Sequence, residues 1–238
     1  MHASVRQTTR LGLTGALLVA AIAAAVPAAA QSRQEETFDR TLTLQPGGTL
    51  RLRTFSGHVR IRGTDGNQVV IHAVRRARAD RLRDIQIEVT QSGNDVEVNA
   101  NHQRVERDND NVVETDFDIQ VPARTRLDVN SFSAPIEVTN VQGPHRLKTF
   151  SADIRLDAES WNDDDGVDAD SFSGDVRLRL PGNARGSISF DSFSGGFESD
   201  LPVTLQSSNR RKFRGDLNGG GSAMFRFKTF SGSAEIRR

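Results

Sequence analysis

The chain of 238 residues has no cysteine, no tyrosine and a single tryptophan, yet it contains 13 phenylalanines. Without cysteine the protein has no disulfide framework and no thiol chemistry, so its stability depends on backbone pairing and core packing. Tyrosine and tryptophan dominate recognition surfaces, whereas phenylalanine has no polar group. The aromatic composition therefore favours a core-filling role for the phenylalanines.

Long hydrophobic runs are missing except at the N-terminus. Arg6 and Arg10 precede an apolar stretch over residues 11–26, and Ala28-Ala29-Ala30 matches a small-residue cleavage signal. We predict a signal peptide over residues 1–30, cleaved near Ala30, and export to the periplasm, the extracellular space or the cell surface. No later segment is apolar enough to be predicted to enter a membrane.

Neither sign of charge dominates the sequence. The chain has 31 basic and 31 acidic side chains, and removal of residues 1–30 leaves 29 basic against 31 acidic. This balance does not favour nucleic acid or anionic lipid as a partner.

Six copies of the motif Ser/Thr-Phe-Ser-Gly/Ala recur along the chain. Counted from the phenylalanine, apolar residues mostly occupy offsets −5 and −3 before it and +4 and +6 after it. A strand alternates with period two, so this change of phase requires a corner or bulge at the Ser/Thr-Phe step. The small residue at +2 predicts the close approach of another backbone or side chain. The motif phenylalanines are Phe55, Phe132, Phe150, Phe172, Phe193 and Phe230.

From Phe132 onward the copies are spaced by 18, 22, 21 and 37 residues. The stretch "KFRGDLNG" reads as a degraded copy centred on Phe213, which divides the longest interval. A period near 20 with two strands per unit predicts an all-β fold, a single-stranded β-helix-like solenoid. We expect the motif phenylalanines to stack in an internal ladder with a step of about 4.8 Å.

The segment between Phe55 and Phe132 contains no good copy. The stretches "NQVVIHAV", "DIQIEVTQ", "DVEVNA" and "VVETDFDIQV" are typical of strands, with a hairpin turn over residues 92–95. Residues 77–84 and 101–111 are predicted to be polar loops. We therefore predict an N-terminal antiparallel β cap over residues 31–121, which includes the copy at Phe55, and solenoid repeats over residues 122–238 that are continuous with it.

Four stretches resemble the bacterial DUF4097 family, whose members are also called putative adhesins: "GHVRIRGTDGNQVVIHA", "DIQVPARTRLDVNSFSAPIEVTNVQG", the recurring "SFSGDVRL" units and "RGDLNGGGSAMFRFKTFSGSAEIRR". The resemblance covers most of the chain after residue 30. It implies a β-helix-like fold and a location in the cell envelope. It implies no established activity and provides no catalytic residues.

No catalytic or cofactor site is predicted from the residues. His58, His72, His102 and His145 are scattered, with neither an HExxH motif nor an i,i+4 pair, so no zinc site is predicted. The motif serines occupy repeated offsets, and none lies in a G-x-S-x-G elbow. The stretch "GDLNGGG" has no Lys-Ser/Thr and no helix after it, which favours a turn over a phosphate loop.

The aspartate-rich stretch "WNDDDGVDADS", residues 161–171, provides the only metal candidates. Asp163, Asp165, Asp168 and Asp170 offer oxygen ligands for Ca²⁺, but their spacing does not fit an EF-hand. Aspartates in turns between strands are commonly solvated corners. We favour the solvated corner.

Three functions are compatible with the sequence. We favour a non-catalytic, exported, adhesin-like or scaffold protein of the bacterial cell envelope that binds an unknown envelope or surface component, protein or glycan. The alternatives are a polymer-forming solenoid that associates end to end and a polysaccharide-acting β-helix enzyme. Mixed charge signs at offset +5, such as Arg60 and Glu137, indicate a solvated sheet rather than a polyanion groove.

Overall fold

Nineteen β-strands and one short helix form the fold in the computed structural model, which describes residues 33–100, 112–209 and 211–238. The predicted signal peptide, His102 and the predicted loop at 101–111 lie outside the described residues. The elements are β1 (Gln34–Thr43), β2 (Gly48–Thr54), β3 (Ser56–Thr64), β4 (Gln68–Ala77), α1 (Ala79–Asp84), β5 (Glu88–Ser92), β6 (Asp95–Asn99), β7 (Glu114–Pro122), β8 (Thr125–Ser131), β9 (Ile136–Thr139), β10 (Pro144–Thr149), β11 (Ile154–Asp157), β12 (Gly166–Ser171), β13 (Val176–Arg179), β14 (Gly186–Ser192), β15 (Phe197–Ser199), β16 (Val203–Ser208), β17 (Lys212–Leu217), β18 (Met224–Thr229) and β19 (Ala234–Arg237).

The strands form two sheets, and the predicted all-β solenoid is confirmed. Each motif joins a strand of one sheet to a strand of the other, and equivalent strands pair in parallel, so that Leu147 lies between Val129 and Ala169. We call the sheet that precedes the motifs the upstream sheet and the other the downstream sheet. The upstream order is β16-β17-β14-β18-β12-β10-β8-β2-β6-β5, and the downstream order is β1-β4-β7-β3-β9-β11-β13-β19-β15.

Antiparallel strands flank the parallel coils at both ends. At one end β1 pairs with β4, β4 with β7 and β5 with β6; at the other end β14 pairs with β17 and β17 with β16. The predicted hairpin over residues 92–95 is confirmed, with Gly93 at a φ of 58°. No helix among the described residues is long and apolar enough to span a membrane. The division into segments 31–121 and 122–238 stays a prediction.

The order of the coils in space differs from their order in the chain. The Phe230 coil (β18 and β19) lies between the Phe172 coil (β12 and β13) and the Phe193 coil (β14 and β15). Strand β17 is not a seventh parallel repeat, because it pairs antiparallel with β14, and the interpretation of "KFRGDLNG" as a degraded copy is wrong. Phe213 lies opposite Phe190 instead of following the motif pattern.

The core lies between the two sheets and follows the repeat. Side chains at offsets −5 and −3 face those at +4 and +6, and most are fully buried. In the Phe230 coil the large side chains of Phe225 and Phe227 on the upstream strand are accompanied by the small Ala234 on the downstream strand. Trp161 covers this layer from the loop before β12, stacked 5.0 Å from Phe225. Burial of these apolar rows is the main source of stability.

The loop predicted over residues 77–84 contains α1, and that prediction is wrong. Leu82 and Ile85 bury their side chains in a small cluster with Ala77, which anchors the helix. The buried guanidinium of Arg75 donates hydrogen bonds to the carbonyl oxygens of Leu82 and Ile85. Burial lowers the pKa of Arg75, while the nearby Glu36 carboxylate opposes that shift. A helix this short depends on such tertiary contacts, and hydrophobic periodicity does not reveal them.

Four of the six corners are closed by the hydroxyl at offset −1. These side chains are buried, and in four coils the hydroxyl binds the backbone of the residue at +2 over 2.6–2.8 Å. The small residue at +2 lies against the neighbouring coil, as predicted: a Cβ on Gly174 would clash with the carbonyl oxygen of Ala152. The four pairs are Ser131 with Ala134, Ser171 with Gly174, Ser192 with Gly195 and Thr229 with Gly232.

We predict that Ser171→Ala destabilises the fold by about 1–3 kcal/mol, because the buried N–H of Gly174 loses its acceptor. Ser173→Ala is the matched control, since Ser173 is exposed and its hydroxyl makes no hydrogen bond in the described part of the chain. We expect that control to stay within about 0.5 kcal/mol. Urea unfolding followed by the fluorescence of Trp161 measures both. Equal losses would contradict the assignment of the corner to offset −1.

Candidate functional site

The six motif phenylalanines form a single stacked row along one edge of the solenoid, which we call the phenylalanine ridge. Neighbouring ring centroids are 4.8–4.9 Å apart and the ring planes are within 2–6° of parallel. This step is the distance between paired strands, so each ring lies on the equivalent ring of the next coil. In space the order is Phe55, Phe132, Phe150, Phe172, Phe230 and Phe193.

The ridge lies on the outside of the protein, so the prediction of an internal ladder is wrong in position although right in spacing. Exposed fractions of Phe132, Phe150, Phe172, Phe193 and Phe230 are 43–51%. The reason is the alternation of the upstream strand: offsets −5, −3 and −1 point inward, so offset 0 points outward. The residue at +1 points outward as well, and these two consecutive outward positions produce the change of phase. The alternation of apolar residues in the sequence was therefore enough to predict that the motif phenylalanines point outward.

Each interior ring has a neighbour on both faces, so the solvent-exposed part of the ridge consists mainly of ring edges. Ring edges carry the positive end of the aromatic quadrupole, and the faces carry the negative end. At one end the guanidinium carbon of Arg211 lies 4.1 Å from the centroid of Phe193, over its remaining face. The ridge therefore offers an apolar strip roughly 24 Å long rather than a set of open aromatic platforms.

A column of serines runs beside the ridge at offset +1. The backbone N–H groups of Ser151 and Ser173 donate to the carbonyl oxygens of Phe132 and Phe150, which belong to the preceding coils. Among the hydroxyls of these six serines, only that of Ser133 bonds a neighbouring corner within the described residues, to the carbonyl oxygen of Phe55 at 3.3 Å. The column is thus a polar border of the ridge and contributes little to the turn.

The outer face of the downstream sheet carries charges of both signs. Glu137 lies between Arg60 and Arg155, at 3.4 and 3.7 Å. Farther along, Arg177 contacts Asp153 at 3.2 Å and Glu235 at 3.8 Å. These exposed pairs each contribute little to stability, but together they leave no sustained field of one sign.

The four calcium candidates do not converge on one point. Asp163 forms a bidentate pair with Arg185, which lowers the pKa of that carboxyl. The buried Asp165 carboxylate accepts hydrogen bonds from the N–H groups of Gly143 and Asn162, both at 2.7 Å, and so closes the loop. Asp168 and Asp170 lie on β12 beside basic residues of neighbouring strands. The interpretation of these aspartates as a solvated corner, with no Ca²⁺ site, stays a prediction.

The three described histidines also lie apart. His58 is 3.2 Å from Asp116 and His72 is 2.7 Å from Asp39, both on the exposed face of the downstream sheet. His145 occupies a core position at offset −5, where its Nε2 lies 2.9 Å from the carbonyl oxygen of Val141. Burial lowers the pKa of His145, which keeps the ring neutral. Among the described residues no three potential metal ligands cluster.

Comparison with known proteins places this solenoid among proteins of the same fold. A crystal structure of a putative cell adhesion protein from Clostridium sporogenes superposes with a TM-score of 0.60, over 85% of this chain and 99% of that chain, at 11% identity. Two structures of putative adhesins cover 84% and 85% of this chain and 97% of each of theirs: one from Bacteroides fragilis (10% identity, TM-score 0.27) and one from Parabacteroides merdae (8%, 0.20). No curated protein matches the chain.

The sequence match is to a family rather than to a single protein. The family model named Toastrack DUF4097 matches residues 111–237, which is more than half of the chain. The chain therefore belongs to the Toastrack DUF4097 family, as its resemblance implied.

We predict that Phe172→Ala destabilises the fold by about 2 kcal/mol, because the variant loses two stacking contacts of about 1 kcal/mol each, with Phe150 and Phe230. Phe225→Ala is the comparison, since Phe225 is fully buried and its truncation is expected to cost about 3–5 kcal/mol. Equilibrium unfolding in urea measures the difference. If Phe172→Ala costs as much as Phe225→Ala, the ridge is part of the core and not an outer row.

Proposed function

We propose that this chain is an exported, non-catalytic, adhesin-like protein of the bacterial cell envelope, and that it holds a protein partner through the phenylalanine ridge. The observation that carries the proposal is the row of half-exposed phenylalanine side chains on a protein whose other outward positions are mostly polar or charged. Soluble proteins rarely expose a contiguous apolar strip unless it contacts another molecule. The predicted signal peptide supports export.

The corner itself does not require phenylalanine. The turn is closed by the buried hydroxyl at −1 and the small residue at +2, as in Ser171 and Gly174, whereas the ring at offset 0 points to solvent. A polar residue at offset 0 would satisfy the same backbone geometry. Stacking between coils stabilises the row, but it leaves about half of each ring exposed, and we propose that this exposed strip contacts a partner.

The exposed ring edges favour a protein over a glycan at the ridge. Sugars stack on open aromatic faces, and the interior faces of this row are covered by neighbouring rings. Ring edges suit apolar side chains and the carbonyl oxygens of a polypeptide. The serine column beside the ridge adds hydroxyl groups for hydrogen bonds to such a partner.

Two further features support a binding role over the alternatives. The acidic and basic side chains of the described residues largely occupy ion pairs spread over both sheets, whereas a polysaccharide-cleaving enzyme gathers them in one cleft. End-to-end polymerisation is opposed by the edge strand β1, whose charged residues Glu35, Glu36 and Asp39 discourage pairing with another strand.

The test is the adhesion of protein-coated beads to bacterial and host cells. We expect the double variant Phe150→Ser/Phe172→Ser to adhere about tenfold more weakly or worse, since buried aromatic anchors dominate interface energies. Val70→Ser, which replaces an exposed apolar residue away from the ridge, is the control and should adhere normally. Protease treatment of the cells should weaken adhesion of the native chain to the level of the ridge variant. Normal adhesion by the ridge variant, or adhesion that only glycosidases remove, would refute the proposal.

A further inference from the structure

The outward face of the upstream sheet carries a row of charges that alternate in sign from strand to strand. The residues at offset −4 pair side by side across the sheet, so each charged side chain has neighbours on both adjacent strands. In spatial order the row reads Glu97, Arg51, Asp128, Arg146, Asp168, Arg226, Ser189 and Arg214.

Ser189 is the one interruption in this row. The alternation requires an acidic residue between Arg226 on β18 and Arg214 on β17, and β14 has a serine at that position. The uninterrupted part of the row shows how an acidic side chain at the equivalent position interacts with its neighbours. Asp168 Oδ2 lies between Arg146 and Arg226, at 3.7 Å from a guanidinium nitrogen of each. Ser189 likewise lies between two arginines, but its side chain has no carboxylate that could pair with them.

The guanidinium of Arg214 is left without a counterion. It forms no ion pair within the described residues, and its neighbours across the sheet are Ser189 and Ser207. The nearest acidic side chain on β14, Asp191, is already bound to the Nζ of Lys212 at 2.6 Å. Both arginines are exposed, and an oxyanion placed between them would supply the missing charge-assisted hydrogen bonds, which are stronger than neutral ones.

A cleft of about 490 Å³ lies over this position. Besides the two arginines, its lining offers Lys228, the hydroxyls of Ser187 and Ser189 and the half-exposed side chain of Met224. It also contains Asp191, which is paired with Lys212, and Gln206, whose amide already donates to Asp216 at 2.8 Å. These groups suit a compact ligand with one carboxylate, several hydroxyls and an apolar ring surface. We propose that the cleft at Ser189 binds the carboxylate of an acidic sugar, a uronic acid residue of a glycan.

An acidic peptide fits this cleft less well. Strand β14 is paired on both sides, with β17 and β18, so its ladder hydrogen bonds are already made and the cleft has no free strand edge for an extended peptide. The site takes one carboxylate and not a continuous polyanion, because Asp191 and Asp168 interrupt the positive charge on either side. It lies on the face of the upstream sheet, apart from the phenylalanine ridge, and does not depend on the function proposed for the ridge.

Titration calorimetry of the full chain with D-glucuronate, at constant ionic strength, tests the site, with D-glucose as the neutral control. We expect saturable binding of glucuronate and none of glucose. Arg214→Gln should weaken binding at least about tenfold, the loss of one charge-assisted contact. Arg53→Gln, in the uninterrupted part of the same sheet, should bind as the native chain does. Constant ionic strength ensures that a difference in binding between the two sugars does not arise from general screening by salt.

Ser189→Asp is the decisive variant because it supplies the missing carboxylate. We expect it to fold, to melt at a higher temperature than the native chain and to lose glucuronate binding. Retained binding by Ser189→Asp, or equal affinity for glucuronate and glucose, would overturn the proposal. A glutamate-rich peptide that binds while glucuronate does not would show that the site takes a protein carboxylate, and would overturn the assignment to a sugar.

Discussion

In-register stacking of the coils at the spacing of paired β-strands is the constraint on which the rest of the structure depends. Because equivalent strands pair in parallel, each side chain meets its counterpart in the next coil about 4.8 Å away. Apolar rows then fill the core, buried hydroxyls close the corners, phenylalanines form the outer ridge and charges form rows on both faces. A substitution in one coil is therefore felt mainly by the two coils beside it.

The solenoid, its corners and the close contact at offset +2 could be predicted because they follow from period and local pattern. The position of the phenylalanines was mispredicted from residue type: phenylalanine is usually buried, whereas the alternation of Leu127 and Val129 with Ser131 already placed Phe132 outside. Helix α1 could not be predicted, since it depends on the distant side chain of Arg75. The cleft at Ser189 was missed because the repeat pattern does not show that β14 lies between β17 and β18.

The insertion of the Phe230 coil has an electrostatic explanation. Strands β12 and β14 both carry an outward acid at offset −2, Asp170 and Asp191, and would place like charges side by side if they paired. Strand β18 brings Arg226 and Lys228 between them, and β2 separates the acidic strands β6 and β8 in the same way. On the upstream sheet the alternating outward charges thus favour this order of the coils, whereas like charges are neighbours on the downstream sheet, as at Arg155 and Arg177. The same alternation identifies Ser189 as the position where the upstream row lacks a charge.

Disulfide cross-linking measures the order of the coils directly. Because the native chain has no cysteine, a disulfide can form only between the two engineered cysteines. Ser173→Cys/Ser231→Cys joins coils that are adjacent in space, since Ser231 N–H donates to the carbonyl oxygen of Phe172. The variant Ser173→Cys/Ser194→Cys places its two cysteines in coils that are consecutive in sequence but about 9.6 Å apart in space, which is beyond the reach of a disulfide. We predict that mild oxidation cross-links the first pair and leaves the second reduced. A disulfide in the second pair but not in the first would contradict in-register stacking with the inserted coil.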